Sequence, residues 1–302
     1  MKDFYLIDCK KKLRWKNFLK DVVSNPGQTW QYSYFEDMNN NYRTFLLVIN
    51  LEKKNYFCPF HLKEENNKKK LFSIRGYSGF NTTLNHSRLS QIKLLLKKNN
   101  IDEIYFTSNP YILEDKEIKK ISSFKNNAYL INLNLNIEAI YNNFSQNIKR
   151  NIKKGEKIDQ LKTEKYKIYN IKEILSLYNL NLARLNLSEN QLYLKKSLKF
   201  LLNLPKKNNL IICSKYKNKL VALSLFNLSD SLAYYHFHIA SENYNFLSSK
   251  HIYEAIKILK KRDYKLINLG GPVNNQPGVE RFKESISTEK KKIFSYYLNI
   301  KN

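Results

Sequence analysis

The sequence predicts an α+β protein of two domains, and three observations support this prediction. Its 302 residues exceed what one hydrophobic core usually organises, which favours about two domains. Residues 209–239 hold three strand-like segments joined by short turns, as in an antiparallel meander. A helix, a strand, a short helix and a final strand follow this meander, and that order is typical of α+β sheets.

The N-terminal part of the chain shows the same alternation in a weaker form. Apolar residues recur with helical spacing between residues 89 and 96, and the strand-like runs around them are 45–51, 56–62, 71–75, 103–107 and 128–134. Pro59 lies in the second run and predicts an edge position or a bulge there, because proline has no N–H for the sheet. The alternation therefore predicts two tandem domains, each with a mixed, mostly antiparallel sheet flanked by helices.

A long helix is predicted directly after these strands. One apolar stripe runs along residues 136–158 and consists of Ile137, Ile140, Tyr141, Phe144, Ile148 and Ile152. We place the domain boundary before this helix, which gives an N-terminal domain of residues 1–135 and a C-terminal domain of residues 136–302. The remaining predicted helices are 171–186, 190–204, 247–261 and 279–285, and the remaining strands are 209–215, 220–228, 231–239, 266–269 and 293–298.

The formal net charge of +27 is compatible with nucleic-acid binding. Lysine, however, outnumbers arginine roughly five to one, whereas phosphate and base recognition favours the arginine fork. Lysine, asparagine, isoleucine and tyrosine all have A/T-rich codons, so an A/T-rich genome would raise them together. We therefore interpret most of the charge as solvated surface, which would still attract an anionic substrate or an anionic membrane surface.

The cysteines and the apolar runs indicate a cytoplasmic protein. Cys9, Cys58 and Cys213 are far apart and odd in number, which argues against a disulfide framework or a zinc site. The N-terminal apolar run is too short for a secretory signal, and no run of 18 or so apolar residues predicts a transmembrane segment. Membrane contact, if present, is expected to be peripheral.

Four short segments of the C-terminal part carry a family resemblance when they are taken in order. They are Ala233-Tyr-Tyr-His236, His251-Ile-Tyr-Glu-Ala-Ile256, Leu269-Gly-Gly271 and Gly278-Val-Glu-Arg-Phe-Lys283. This order resembles the FemABX-related branch of the GNAT superfamily, which includes peptidoglycan-bridge aminoacyltransferases and acyltransferases of cell-surface glycan clusters. Similar features occur earlier, at Arg75-Gly-Tyr-Ser-Gly79, Phe106-Thr-Ser-Asn-Pro110 and the basic helix 146–155.

The resemblance implies two tandem GNAT-like domains and transfer of an acyl or aminoacyl group to an amine. The implied acceptor is an amino sugar, or a cell-surface glycan or peptidoglycan precursor, in bacterial cell-envelope polysaccharide biosynthesis. Lys283 suits stabilisation of the reacting oxygen, because it follows the apolar anchor Phe282 just beyond a glycine turn. In the resembled aminoacyltransferases the matching lysine helps to bind and stabilise the acyl group. The alternative interpretation is one more solvated lysine.

Gly270 and Gly271 permit positive φ and close approach of a ligand to backbone N–H groups, although a plain strand-to-helix turn would also explain them. Arg184 resembles a helix arginine that contacts an anionic group of the acceptor in related enzymes, and an ordinary ion pair is the alternative. Tyr77 is a candidate for stacking on a sugar or nucleotide, or else a buried turn residue.

The predicted strand 231–239 carries two histidines. His236 and His238 are two residues apart, which predicts that they lie on one face together with Tyr234. His236 is a candidate catalytic residue and Tyr235 a candidate substrate contact, while histidines buried in the core are the alternative. A metal site would need a third ligand at a known spacing, and the sequence shows none.

The acyl donor is left open by the segment before helix 247–261. Acetyl-CoA enzymes of the GNAT superfamily carry a glycine-rich loop there, and residues 240–250 contain no glycine. We expect no permanently bound cofactor, with acyl-CoA, acyl carrier protein or aminoacyl-tRNA as co-substrate and a nucleotide- or lipid-linked amino sugar as acceptor. The alternatives are a tRNA-dependent peptidoglycan-bridge aminoacyltransferase and a non-catalytic nucleic-acid-binding protein.

Overall fold

The computed structural model describes residues 3–20, 25–40, 42–52, 54–76, 78–112, 115–165, 170–188, 193–271 and 277–301. The strands in these ranges are β1 (Phe4–Asp8), β2 (Arg43–Leu51), β3 (Lys54–Glu65), β4 (Lys68–Ser73), β5 (Glu103–Thr107), β6 (Phe124–Asn132), β7 (Leu161–Lys165), β8 (Asn209–Tyr216), β9 (Lys219–Ser229), β10 (Leu232–Ala240), β11 (Leu266–Gly270) and β12 (Glu289–Asn299). The α-helices are α1 (Lys12–Phe18), α2 (Trp30–Asn39), α3 (His86–Lys98), α4 (Lys116–Lys120), α5 (Ile137–Asn143), α6 (Gln146–Lys157), α7 (Ile171–Arg184), α8 (Lys195–Leu202), α9 (Leu247–Lys260) and α10 (Pro277–Ile286).

Contacts divide the chain into two compact units. Unit 1 contains residues 1–128 and 291–302, and unit 2 contains residues 129–290. The C-terminal residues that carry most of β12 thus group with the N-terminal part of the chain. The division into domains of residues 1–135 and 136–302 stays a prediction.

The sheet of unit 1 has the strand order β1-β2-β3-β4-β5-β12. All neighbours are antiparallel except β4 and β5, which are parallel and are joined by the crossover helix α3. Leu89, Ile92 and Leu96 of α3 are buried in the core of the unit at helical spacing. A parallel pair needs such a crossover, because its second strand must start again at the same edge of the sheet.

The sheet of unit 2 repeats this topology in the order β7-β8-β9-β10-β11-β6. Again only one pair, β10 and β11, is parallel, and the helix α9 joins it. The chain therefore has the predicted α+β organisation of two tandem units, each with a mixed, mostly antiparallel sheet and flanking helices. Both units contain a strand–helix–strand crossover next to an antiparallel meander.

The core of unit 2 lies between one face of this sheet and the helices α5, α6, α9 and α10. Its buried side chains from β6, β8 to β11, α5, α6 and α9 include Tyr129, Ile131, Ile148, Ile152, Leu210, Phe226, Tyr235, Ile252, Ile256, Ile267 and Leu269. Helix α7 packs on β9 and β10 through side chains outside this cluster. The sheet of unit 2 is thus covered on both faces, which fixes the directions of the strands that end at the site described below.

The single helix predicted for residues 136–158 is wrong, because the structure has two. Asn136 caps α5, where its Oδ1 accepts from the N–H of Ala139 at 2.6 Å. Ser145 caps α6, where its Oγ accepts from the N–H of Ile148 at 3.4 Å. A serine that satisfies the free N–H groups of a new first turn starts a second helix. The apolar stripe itself is confirmed, since residues of both helices lie in the core.

Pro59 shows how β3 accommodates a proline. The pairing of β3 with β2 runs through Pro59, but its pairing with β4 extends only to Phe60. Pro59 therefore lies at a local edge of the strand, where no N–H is needed for a second neighbour. The prediction of an edge strand is wrong, because β3 lies between β2 and β4 and has partners on both sides over most of its length.

Candidate active site

The turn at the end of β11 depends on glycine. Gly270 has φ +79°, and its N–H donates to Oδ1 of Asn268 at 2.7 Å. A side-chain Cβ at this position would lie 3.3 Å from Nζ of Lys283 and 3.5 Å from the hydroxyl oxygen of Tyr234. Positive φ strains any residue with a Cβ, and here the Cβ would also occupy the space that the two polar atoms share. Glycine thus lets β11 end directly against Lys283.

Lys283 points from α10 toward this turn. Its Nζ donates to the carbonyl oxygen of Gly271 at 2.6 Å, and the side chain is half-buried. Burial lowers the pKa of the ammonium to about 8, although the nearby Glu280 carboxylate opposes the shift. Phe282 and Ile286 of the same helix pack against the core of unit 2 and hold α10 in place. Lys283 is therefore held in place by the packing of α10 and by its hydrogen bond to Gly271.

Glu280 favours the charged form of Lys283, and Tyr129 holds Glu280 through a hydrogen bond. The Tyr129 hydroxyl donates to Oε1 of Glu280 at 2.8 Å. Burial, and then the Glu280 carboxylate, raise the pKa of this hydroxyl, so it stays protonated and keeps donating. Glu280 and Lys283 are three residues apart on α10, which places them on one side of the helix. The sequence interpretation missed both supporting residues, although this spacing was a signal for Glu280.

A row of polar side chains leads away from Lys283 across the sheet. Asn227 of β9, Tyr234 of β10 and Asn268 of β11 lie directly opposite one another in the strand registers. Asn227 is 4% exposed and Asn268 is fully buried. The Asn227 Oδ1 and Asn268 Nδ2 atoms have no hydrogen-bond partner among the described residues. Buried amides without partners are costly, so a bound polar ligand is expected to use these two atoms.

His236 adjoins this row. Its Nδ1 lies 3.2 Å from Nδ2 of Asn227, and its ring stacks on that of Tyr193 with centroids 5.0 Å apart. The candidate residues Gly270, Gly271 and Lys283 are thus in contact with one another. His236 is linked to them through the row, with Tyr234 as its middle member. The sequence interpretation missed Asn227 and Asn268, because single asparagines carry no spacing signal.

A β-bulge in β10 overturns the prediction that His236 and His238 share a face. The register with β9 shifts between Tyr235 and Phe237, which inserts one extra residue. His236 contacts Asn227, whereas His238 contacts Ser224, three residues earlier on β9 and hence on the other face. The strict alternation of side chains holds only in an uninterrupted strand.

Two further candidates lie elsewhere, and a third is not among the described residues. Tyr235 is buried in the core against Phe226, at 5.2 Å between ring centroids, and burial raises the pKa of its hydroxyl. Arg184 is exposed at the end of α7 and donates to Oδ1 of Asn181 at 3.0 Å, while Asn181 in turn donates to the carbonyl oxygen of Ala240 at the end of β10. Tyr77 lies outside the described residues, as do residues 272–276 after the glycine turn.

Two general properties complete the description. Among the described residues, no three histidine, cysteine, aspartate or glutamate side chains cluster in a way that could hold a metal ion. None of the helices in the described part of the chain is both long and apolar enough to cross a bilayer.

The likeness to known proteins lies in the fold. No family model and no curated protein matches the sequence. Among solved structures, FemX superimposes with a TM-score of 0.65 at 11% identity, over 99% of this chain and 98% of that one. The C-terminal domain of a putative lysylphosphatidylglycerol synthetase from Agrobacterium fabrum gives 0.60 at 10% identity, over 95% and 91% of the chains. A tandem GNAT protein from the clavulanic acid biosynthesis pathway gives 0.50 at 6% identity, over 98% of each chain.

These similarities confirm the predicted fold. The chain has the fold of FemX and of the tandem GNAT protein, in two units that each hold a mixed, mostly antiparallel sheet with flanking helices. At identities of 6–11%, the similarity extends to the fold and not to the chemistry.

The first prediction concerns Gly270, with Gly278 as its matched control. Gly270→Ala is expected to lower the free energy of unfolding by about 1–3 kcal/mol, because alanine is strained at positive φ and its Cβ crowds Lys283. Gly278 lies in α10, and a Cβ there would meet nothing within 4 Å. Gly278→Ala should therefore be neutral or stabilise by up to about 1 kcal/mol. Equal effects in urea unfolding would contradict the account of the turn.

The second prediction follows from the lowered pKa of Lys283. The unfolded chain holds this proton up to about pH 10.5 and the folded chain only to about pH 8, so stability should rise between these pH values. The gain is expected to be roughly 3 kcal/mol at most. Lys283→Met has no proton to lose in this range, so its free energy of unfolding should lack the rise expected of the wild type. Urea unfolding of both proteins from pH 7 to 10.5 should therefore show the wild type gaining stability relative to the variant as the pH rises. A difference that does not change with pH would contradict the burial of the cation.

Proposed function

We propose that this chain is a GNAT-type N-acyltransferase. It transfers an acyl or aminoacyl group to the amine of an amino sugar, carried on a nucleotide- or lipid-linked precursor of a bacterial cell-surface glycan, and it works in the cytoplasm. The single observation that carries the proposal is the buried ammonium of Lys283, held at the carbonyl oxygen of Gly271 where β11 ends. The FemABX-type fold supports the reaction class.

Lys283 is suited to stabilise the oxygen of the reacting carbonyl. An ammonium group has three N–H donors, of which Gly271 takes one, so two remain for a ligand. When the acceptor amine attacks, negative charge develops on that oxygen, and a cation in a buried site interacts with it more strongly than one in water. Burial lowers the pKa of Lys283 although the Glu280 carboxylate opposes the shift, which supports a role in binding a group that becomes negative. The developing oxyanion is such a group.

The polar row is suited to hold the acceptor. Asn227 and Asn268 offer an unpaired oxygen and an unpaired nitrogen, which match the hydroxyl and amide groups of an amino sugar. His236 adjoins them and is proposed to contact the acceptor near its amine. Arg184, exposed near the end of β10, is proposed to pair with the phosphate of the nucleotide or lipid carrier. Tyr77 remains a proposed stacking residue, and the core position of Tyr235 suits a supporting role.

The donor is proposed to be a co-substrate that leaves after each turnover. Acyl-CoA, acyl carrier protein and aminoacyl-tRNA all present an activated acyl carbonyl on a long anionic carrier. The net positive charge of the chain would attract each of them. No permanently bound cofactor is required, because lysine stabilisation and a proton acceptor complete the chemistry.

The third prediction tests the reaction. Purified protein is incubated with a panel of acyl-CoA donors and UDP-linked amino sugars, and acylated product is detected by mass spectrometry together with thiol release. Lys283→Ala should lower kcat/KM by about 100-fold, as expected for loss of an oxyanion donor. Lys207→Ala removes an exposed lysine of the same unit and should leave kcat/KM unchanged. Full activity in Lys283→Ala would contradict the proposed role of Lys283 in stabilising the reacting carbonyl oxygen.

A second candidate function follows from the exposed face of α6. Lys149, Arg150, Lys153, Lys154 and Lys157 line a surface groove of about 540 Å³ there, while the opposite side of the helix is buried through Ile148 and Ile152. Five cations along one groove favour a polyanion such as the phosphate backbone of an aminoacyl-tRNA donor. The chain would then be a tRNA-dependent aminoacyltransferase. Nucleic-acid binding without catalysis is the remaining alternative.

The fourth prediction separates these alternatives. Under the tRNA-dependent function, the double variant Arg150→Ala, Lys153→Ala should bind tRNA about tenfold more weakly at low salt and with a shallower salt slope. The double variant Lys97→Ala, Lys98→Ala on α3 removes two exposed lysines elsewhere and serves as the control. Equal binding by both variants would remove the α6 groove as the tRNA site. Tight tRNA binding without aminoacyl transfer to any amine would favour the non-catalytic alternative.

A further inference from the structure

Unit 1 has a surface groove of its own, which lies beyond the end of β5. Its volume is about 270 Å³, and three lysines line it together with a turn and an aromatic ring. Lys119 belongs to α4, whereas Lys291 and Lys292 belong to β12. The turn contributes Ser108 and Asn109, and the ring is that of Phe294. We call this site the lysine groove.

The lysine groove occupies the position in unit 1 that the candidate active site occupies in unit 2. In each unit a crossover helix joins two parallel strands, and the second strand ends in a turn that a short helix follows. Lys119 of α4 lines the groove in unit 1, as Lys283 of α10 approaches the glycine turn in unit 2. The repeated topology therefore gives unit 1 a cleft at the matching place.

The polar groups of the turn in unit 1 already have partners. The N–H of Ser108 donates to the carbonyl oxygen of Phe294 at 2.7 Å, and its Oγ accepts from the N–H of Phe294 at 3.0 Å. Nδ2 of Asn109 donates to the carbonyl oxygen of Phe80 at 3.2 Å, and Oδ1 of Asn109 accepts from the N–H of Tyr111 at 3.1 Å. The lysine groove thus offers a ligand its charges rather than the side chains of the turn.

The charges of the lysine groove are not compensated from within. Among the described residues, none of its three lysines forms an ion pair. Asp115 caps α4 by accepting from the N–H of Glu117 at 2.9 Å, and Glu117 pairs with Lys120 at 2.7 Å. Nζ of Lys119 lies 5.6 Å from the centroid of the Phe294 ring. Three such cations around one groove fit an anion of the size of a phosphate group.

Two large apolar side chains are exposed close to the lysine groove. Ile121 directly follows α4 and is 44% exposed, and Phe124 at the start of β6 is 60% exposed. The N–H of Ser123 donates to the carbonyl oxygen of Ser295 at 2.8 Å, which fixes the start of β6 beside β12. The exposed side chains and the lysines therefore lie on neighbouring parts of the surface of unit 1.

Phe124 lies on the face of the sheet that carries the groove. A second hydrogen bond, from the N–H of Thr288 to the carbonyl oxygen of Leu130 at 2.8 Å, shows with the first one that β6 and β12 are antiparallel. Phe124 is therefore opposite Phe294, and opposite side chains of an antiparallel pair share a face. Since the ring of Phe294 lines the groove, Phe124 stands beside it.

We propose that the lysine groove, with Phe124 and Ile121 beside it, docks unit 1 on an anionic membrane surface. The lysines bind the phosphate of an anionic lipid headgroup, and the two apolar side chains enter the layer between headgroups and acyl chains. A soluble phosphate ligand would use the lysines but would leave the apolar side chains in water, whereas a membrane uses both. Docking goes beyond acyl transfer and does not depend on it, so it can be tested without substrate.

The fifth prediction is that the full chain binds vesicles of phosphatidylcholine with about 30% phosphatidylglycerol, but not vesicles of phosphatidylcholine alone. The double variant Lys291→Ala, Lys292→Ala should bind the anionic vesicles roughly 30-fold more weakly, which is about fivefold for each lysine. Binding is measured by co-sedimentation in about 0.1 M salt, where distant charges are screened.

The matched control lies on α3, in the same unit. Lys93 and Lys97 line another groove beside Leu94, which is 61% exposed. The double variant Lys93→Ala, Lys97→Ala removes the same charge and should bind the anionic vesicles within about twofold of the wild type. Equal loss of binding in the two double variants would overturn the docking surface, because net charge alone would then explain the attraction.

A second experiment tests whether the apolar side chains enter the membrane. Phe124→Trp places a fluorophore at the proposed surface, and its emission should shift to shorter wavelength when anionic vesicles are added. Leu94→Trp has nearly the same exposure on α3 and should show no shift. The wild type supplies the background emission of Trp15 and Trp30. Unchanged emission of Phe124→Trp on bound vesicles would overturn the proposed insertion.

The remaining outcomes separate a membrane from other ligands. Inorganic phosphate that saturates the wild type but not Lys291→Ala, Lys292→Ala, without any binding of vesicles, would assign the groove to a soluble ligand and overturn docking. All the substituted side chains are partly or fully exposed, so urea unfolding should show every variant folded. Absence of acyl transfer would overturn the proposed function and leave the vesicle results unaffected.

Discussion

The geometry of the candidate site depends on one constraint, the burial of a lysine ammonium against the end of a strand. Lys283 can reach the carbonyl oxygen of Gly271 only because Gly270 has no side chain and adopts positive φ. Burying a cation is costly, and its lowered pKa reflects that cost. The core contacts of Phe282 and Ile286 offset it by fixing α10. A site that holds an uncompensated charge before its ligand arrives is suited to a ligand that develops the opposite charge.

A second feature, the bulge at His236, distributes polar groups between the two faces of β10. On one face, His236 continues the row of Asn227, Tyr234 and Asn268 toward Lys283. On the other face, Nδ1 of His238 lies 2.8 Å from Oγ of Ser224. Without the extra residue both histidines would lie on one face. Bulges often re-aim side chains beside functional sites.

The sequence predicted the fold class and the regular elements because these depend on patterns that repeat along the chain. The antiparallel meander, the crossover helix α9 and the apolar stripe of residues 136–158 are periodic features, and all are present. The short elements β1, α1, α2, α4 and β7 were missed, since five to ten residues span too few repeats to show a clear period. The break at Ser145 was missed because the continuous stripe outweighed a single capping residue.

The candidate site was predictable in part. Gly270, Gly271 and Lys283 are close in sequence and form a motif, and the structure brings them into contact. Asn227, Tyr129 and Asn268 come from strands far apart in the chain, so only the strand registers place them together. The placement of His238 on the core face depended on a bulge that no sequence pattern indicated. Long-range pairing and local irregularity thus set the limit of the prediction.

The central claim is that Lys283 is a buried cation poised for an oxyanion, and the ionisation of its side chain tests this most directly. Lysine Nζ can be labelled with ¹⁵N, and the resonance absent from Lys283→Met identifies this residue in a pH titration by NMR. The account predicts that it titrates near pH 8, more than two pH units below an exposed lysine, and that a charged mimic of the tetrahedral intermediate raises this value. A titration near pH 10.5, unaffected by such a mimic, would contradict it.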